Sequence, residues 1–191
     1  MVDSYVKKNF NNDAKMRESL CQFYTSDISE DDQSLKSTEF YADMSFVYPT
    51  VKMLEHHTGG NGGTYQYLFS QESTTPINVA GPMPKWYKGV GHGEELVYIF
   101  NFRRLMTYLS TNEEEDRLSR MMIQYWTSFA KTGKPDGGEG SVPWKQFGKT
   151  EKSYLDIKSP LSMESSFRNN MVEFMDATFP ALTSFSRRDE L

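Results

Sequence analysis

Apolar residues recur along this chain at two spacings, and the spacing changes where glycine and proline intervene. Residues 12–24 place Met16, Leu20, Phe23 and Tyr24 on one face of a helix. Residues 33–57 carry a second helical pattern. Pro49 restricts the residue before it, so the pattern predicts two pieces with Pro49 opening the second. The run Gly59-Gly-Asn-Gly-Gly63 breaks the chain. It follows a helix and precedes a strand, the reverse of the order a phosphate loop requires, and reads as a connection. Thr64-Tyr-Gln-Tyr-Leu-Phe-Ser70 is rich in strand formers and bounded by breakers. Residues 71–91 contain Pro76, Pro82 and Pro84 and predict a long irregular loop of the kind that carries function.

Glu94-Glu-Leu-Val-Tyr-Ile-Phe100 predicts a short helix with two acids in its first turn. Beyond it, Thr111 as N-cap with Glu114 three residues on predicts a capping box. Leu118, Met121, Met122, Tyr125, Trp126 and Phe129 follow as an apolar stripe, closed by Gly133 and Pro135. A stripe so heavy belongs to a core. Residues 137–140 predict a loop, 153–157 a short strand, and 162–179 a final helix stopped before Pro180.

Composition changes the picture in one respect. The chain has 191 residues, 14% of them aromatic. Counted with glycine, apolar residues reach about 38%, against about 45–50% in an ordinary domain. Large anchors without ordinary aliphatic filling predict a piece of something larger. The net charge of −5 and the lack of a basic stripe argue against nucleic acid or an anionic membrane as partner. Cys21 is the only cysteine, which excludes an internal disulfide and a thiolate metal cluster; on its helical pattern it reads as a small core residue. No apolar run approaches the ~18 residues of a membrane span. The first residues lack the apolar core of a signal peptide, and no Asn-x-Ser/Thr sequon is present.

Three histidines exist. His56 and His57 end a helical pattern, where adjacent side chains point about 100° apart and make poor joint metal ligands. They read as structural or surface residues. His92 lies in Gly89-Val-Gly-His-Gly93, where flanking glycines allow close approach and an imidazole titrates near neutral pH. On these grounds His92 is either a general base or a buried loop histidine.

Gly89-Val-Gly-His-Gly-Glu-Glu-Leu-Val-Tyr-Ile-Phe100 resembles the catalytic-histidine segment of the type-B carboxylesterase and cholinesterase-like branch of the α/β-hydrolases. Ala42-Asp-Met-Ser-Phe-Val-Tyr-Pro49 and Tyr65-Gln-Tyr-Leu-Phe69 resemble the helix and strand that precede it in that family. Leu118 to Gly133, Pro143-Trp144 and Tyr154-Leu-Asp-Ile157 resemble the family's C-terminal run. The likeness covers residues 35–180 in family order. It implies an α/β fold: the C-terminal part of an α/β-hydrolase over residues 1–186, mostly helices with a few strands of the central sheet, followed by a tail at 187–191. It implies His92 as the triad histidine of a serine ester hydrolase, a small-molecule ester as substrate of the complete protein, and no cofactor or metal.

The remaining machinery is missing from these residues. The triad order in this fold is Ser, acid, His, with the serine in a Gly-x-Ser-x-Gly elbow, and no such pentapeptide occurs. The only Glu-Gly pair, Glu139-Gly140, lies downstream of His92. Asp27, Glu30, Asp31 and Asp32 precede it without matching context, and none is assigned. The chain alone is therefore expected to be inactive. The competing implication is a non-catalytic cholinesterase-like adhesion module, since such relatives also lack the elbow serine. The ending Arg188-Asp189-Glu190-Leu191 differs by one basic residue from luminal retrieval signals and predicts the endoplasmic reticulum lumen, with secretion as second choice.

Overall fold

The computed structural model describes residues 2–25, 32–60, 62–73, 87, 89–100 and 112–179. They divide into two compact units, Met1–Met53 with Arg168–Leu191, and Leu54–Phe167.

The first unit is helical. Val2–Asn9 (α1) turns through Asn11 and Asn12, both at positive φ, into Ala14–Thr25 (α2). Asp13 starts α2 by accepting the Met16 N–H at 2.9 Å, a side-chain cap on an otherwise orphan donor. The expected face of α2 is the one that packs: Leu20 and Tyr24 are buried, and Met16, Cys21 and Phe23 lie against the same core. Gln33–Ala42 (α3), Tyr48–His57 (α4) and Asn169–Thr178 (α7) supply Phe40, Tyr48, Val51, Met171, Val172 and Met175 to that core. Aromatic contacts join these helices, with Phe23 stacked on Phe174 at 4.2 Å and Tyr24 edge-on to Phe40 at 5.1 Å. Aromatics and flexible methionines fill the space that branched aliphatics usually occupy.

The second pattern falls in two α pieces with Pro49 in the first turn of the second, as expected, but a helical turn rather than a break joins them. Residues Asp43–Val47 form a π turn, and the Tyr48 N–H reaches back five residues to the Asp43 carbonyl. Tyr48 keeps helical angles, φ −61° and ψ −50°, despite the proline that follows. In an unbroken α-helix the Pro49 ring would meet the Ser45 carbonyl. Widening the preceding turn removes that clash, so helix continues through the proline.

The second unit is a small sheet with helices against it. Tyr67–Phe69 (β1) pairs parallel with Ser153–Ile157 (β2), Tyr67 opposite Leu155 and Phe69 opposite Ile157. Ser162–Ser165 (β3) pairs antiparallel with β2, Asp156 opposite Ser162, giving the order β1-β2-β3. β3 corrects the expected helix over 162–179: its residues pair with β2, and helix starts only at Asn169. β1 is also shorter than expected, although its flanks stay in register. Leu155 N–H and the Trp144 indole both donate to the Gln66 carbonyl, and Ser70 N–H donates to the Ile157 carbonyl.

Parallel strands require a crossover, which here contains Leu96–Ile99 (α5) and Glu113–Thr132 (α6). Helix α6 buries Leu118, Met122 and Tyr125 against Leu155 and Ile157, while Phe129, at the end of the predicted stripe, is exposed. The cap lies one residue later than expected. Thr111 is outside the described residues, and the Asn112 side chain accepts the Glu115 N–H at 2.8 Å. Gly133, at φ 72°, ends the helix by donating to the Phe129 carbonyl.

Candidate active site

His92 lies on the connection that leaves the carboxyl end of β1. Sites in sheets of parallel strands lie beyond the carboxyl ends of those strands. Gly89 and Gly93 adopt φ values of 129° and 85°, which side-chain-bearing residues rarely reach. The chain therefore folds into a tight turn at 92–95 and runs directly into α5. The His92 side chain is exposed on that turn.

The turn is anchored on its downstream side by α5. Val97 and Tyr98 are buried in the sheet–helix core, with Tyr98 at 5.1 Å from Phe69. The Ser119 hydroxyl donates to the Tyr98 carbonyl, and the Tyr98 hydroxyl donates to Glu115 at 3.4 Å. Leu96, which opens α5, and Phe100, just past its end, remain exposed. Upstream, the Tyr87 hydroxyl donates to the Val90 carbonyl at 3.1 Å. Burial, and secondarily the Glu94 charge, pushes the Tyr87 phenol up from its ordinary pKa.

Glu94 is the residue that sequence reasoning passed over. It is buried, and its carboxylate accepts the Gly91 N–H at 3.0 Å. A buried carboxylate beside an exposed histidine is detectable only once the backbone is seen. In the sequence it is one of two consecutive acids at a helix start.

The other sequence candidates lie elsewhere. His56 and His57 are exposed in the last turn of α4, as expected of surface residues. Asp27, Glu30 and Asp31 fall outside the described residues, and Asp32 precedes α3. A second polar cluster occupies the carboxyl ends of β1 and β2. Ser70 donates to the buried Asp156, and the Lys158 ammonium lies 2.6 Å from the other carboxylate oxygen. That contact, as hydrogen bond and as charge, pushes the Lys158 pKa up. Asp156 is thus already neutralised by a cation, which suits a structural role. Among the described residues, no three His, Cys, Asp or Glu are grouped to hold a metal, and no helix is long and apolar enough to cross a membrane.

Parallel strands connected through a helix, with helices packed on the sheet, belong here to part of an α/β-hydrolase fold. Residues 1–175 match the carboxylesterase family, and the chain belongs to that family. It is similar to bile salt-activated lipase of Homo sapiens, 30% identical over 87% of this chain and 22% of the relative. The fatty acyl-CoA hydrolase precursor, medium chain, of Anas platyrhynchos is 32% identical over 77% of this chain and 25% of its own length. Acetylcholinesterase of Gallus gallus is 29% identical over 86% of this chain and 21% of its own length. The chain thus spans about a fifth to a quarter of these relatives.

Proposed function

We propose that this chain carries the general base, His92, of a serine carboxylic ester hydrolase whose nucleophile and oxyanion donors lie in residues outside it. The observation that carries the reading is the glycine-flanked turn, downstream of β1 in the chain, on which His92 is exposed. Membership of the carboxylesterase family supplies the reaction class. In that role His92 takes the serine proton as the hydroxyl attacks the ester carbonyl, then delivers it to the departing alcohol. An acid partner holds the imidazole in the required tautomer. With no Gly-x-Ser-x-Gly among its 191 residues, the chain by itself has no hydroxyl for His92 to activate in this way.

The test uses a polypeptide that joins this chain to an elbow-bearing N-terminal portion. His92→Asn should lower kcat for p-nitrophenyl butyrate by about 10³-fold or more, the scale of losing a triad member, with folding intact. Near-wild-type turnover would remove His92 from the reaction. The isolated chain should take up no label from a fluorophosphonate; covalent modification would overturn its inactivity. We also read Arg188-Asp189-Glu190-Leu191 as a luminal retrieval tail. A secreted reporter ending in residues 182–191 should stay in the endoplasmic reticulum, and one lacking the last four should reach the medium.

A further inference from the structure

We propose that Glu94 is the positioning residue for His92, holding the turn at 92–95 closed in the manner of the return half of a capping box, with Gly91 in the N-cap's place. The catalytic consequence rests on His92 being the general base; the lock itself does not. In a capping box, the third residue of a helical turn reaches back to the N-cap N–H. Here Glu94 accepts that N–H at 3.0 Å, and its own N–H donates to the Gly91 carbonyl at 3.3 Å. The two bonds close a ring around His92 and Gly93, the only residues between them.

Three observations point to a built device. Glu94 is 8% exposed although it is two residues from an exposed histidine. A carboxylate is buried at a cost that hydrogen bonding must offset, and a charge-assisted bond to a backbone N–H is among the stronger ways to do so. The carboxylate also explains a glycine. A Cβ at Gly91 would lie 2.9 Å from Glu94 Oε1, so the carboxylate could rest there as it does only beside a bare residue 91 and would otherwise have to shift. Finally, the turn needs an external constraint. Gly89 and Gly93 give it two backbone positions of wide freedom, α5, only four residues long, holds its downstream side, and the Tyr87 hydroxyl bonds to Val90 upstream. Without Glu94 the turn would lose its tether to Gly91 between those two glycines, and displacement by about 1 Å is enough to cost about 10²-fold in rate.

In the joined polypeptide, Glu94→Ala should lower kcat about 10- to 100-fold with KM within about twofold, because ester binding is unaffected while proton transfer loses its geometry. Glu94→Gln retains an acceptor oxygen and should stay within about threefold of wild type. Gly91→Ala, with Glu94 intact, should reproduce the loss by displacing the carboxylate. Rates are expressed per site titrated with fluorophosphonate, so reduced folding does not pass for reduced turnover. In the 191-residue chain, hydrogen exchange of the Gly91 amide should be faster in Glu94→Ala than in wild type or Glu94→Gln. Unchanged Gly91 exchange overturns the lock. Faster exchange with unchanged kcat per titrated site overturns the positioning role. Full activity of His92→Asn overturns the general-base reading and the positioning role together, while the exchange result still decides whether the lock exists.

Discussion

The two units each bury carboxylates, and they offset the cost in opposite ways. In the helical unit Asp43 is 1% exposed and is shared by the Tyr24 hydroxyl at 2.9 Å and the Arg168 guanidinium, 125 residues along the chain. In the sheet unit two of the partners are local: Glu94 uses a backbone N–H three residues back and Asp156 pairs with Lys158 two residues on. Glu115 accepts the Tyr98 hydroxyl from 17 residues back, and Asp156 also accepts the Ser70 hydroxyl from 86 residues back. A sequence-distant ion pair ties the N-cap of α7 to the π turn that follows α3 and can act only after the chain has come together. Local pairs preorganise a turn or strand end regardless of what is far away. The first arrangement stabilises an assembly of helices; the second sets the direction of individual side chains, as a site requires.

The sharpest way to break this contrast is to remove the distant partner. Arg168→Ala should cost about 3 kcal/mol in urea denaturation, because it leaves Asp43 buried without its cation. A loss below about 1 kcal/mol would mean that Asp43 is satisfied by Tyr24 alone. The pair also predicts a pH dependence. Burial outweighs the pull of Arg168 and raises the Asp43 pKa above its ordinary 3.8. Below that value both folded and unfolded chains hold the proton. As pH rises further, the unfolded chain releases it first, so the fold loses stability from this group until the folded pKa is passed. Stability of wild type relative to Asp43→Asn should therefore fall as pH is raised through this window, measured by urea denaturation at each pH; a rise would reverse the sign assigned to burial.

Smaller effects test the local side. Asn112→Ala should cost about 1 kcal/mol by removing the cap on Glu115, read from the same denaturation curves. Lys145→Ala should be neutral to within about 0.5 kcal/mol, since its contact with Glu151 is exposed on both sides. If Lys145→Ala matched Arg168→Ala, burial would not be the variable separating the two classes of pair.

Much of the helical pattern was legible because periodicity survives without neighbours. The face of α2, the stripe of α6 and its stop at Gly133 follow from spacing, and β2 was expected as the short run Ser153-Tyr-Leu-Asp-Ile157. The strand β3 was not legible. Ser-Met-Glu-Ser is polar and half-exposed, and only pairing with β2 makes it a strand. α1 was passed over because two buried valines, Val2 and Val6, are a thin signal among charged residues. Pro49 marked where the second helical piece starts but not the π turn that joins it to the first, because the rule against helix before proline assumes an ordinary α turn. At the site, the glycine-flanked histidine stood out in the sequence. Its support did not, because nothing in Glu94-Glu95 tells which carboxylate turns inward.

The π turn at Asp43–Val47 also governs how this chain can change length. Losing a residue from an α-helix rotates everything beyond it by about 100° and carries its buried face into solvent. A π turn holds one residue more than an α turn between the same flanking segments. Deleting one residue there is the single shortening that leaves Phe40 before it and Val51 after it on their present faces. Pro49 blocks that step, since a restored α turn would drive its ring into a carbonyl. A deletion of Ser45 should thus unfold the unit alone yet be tolerated with Pro49→Ala, whereas deletions within α6 should have no such rescue; far-UV circular dichroism on the four variants decides it. Proline here acts as a lock on helix length.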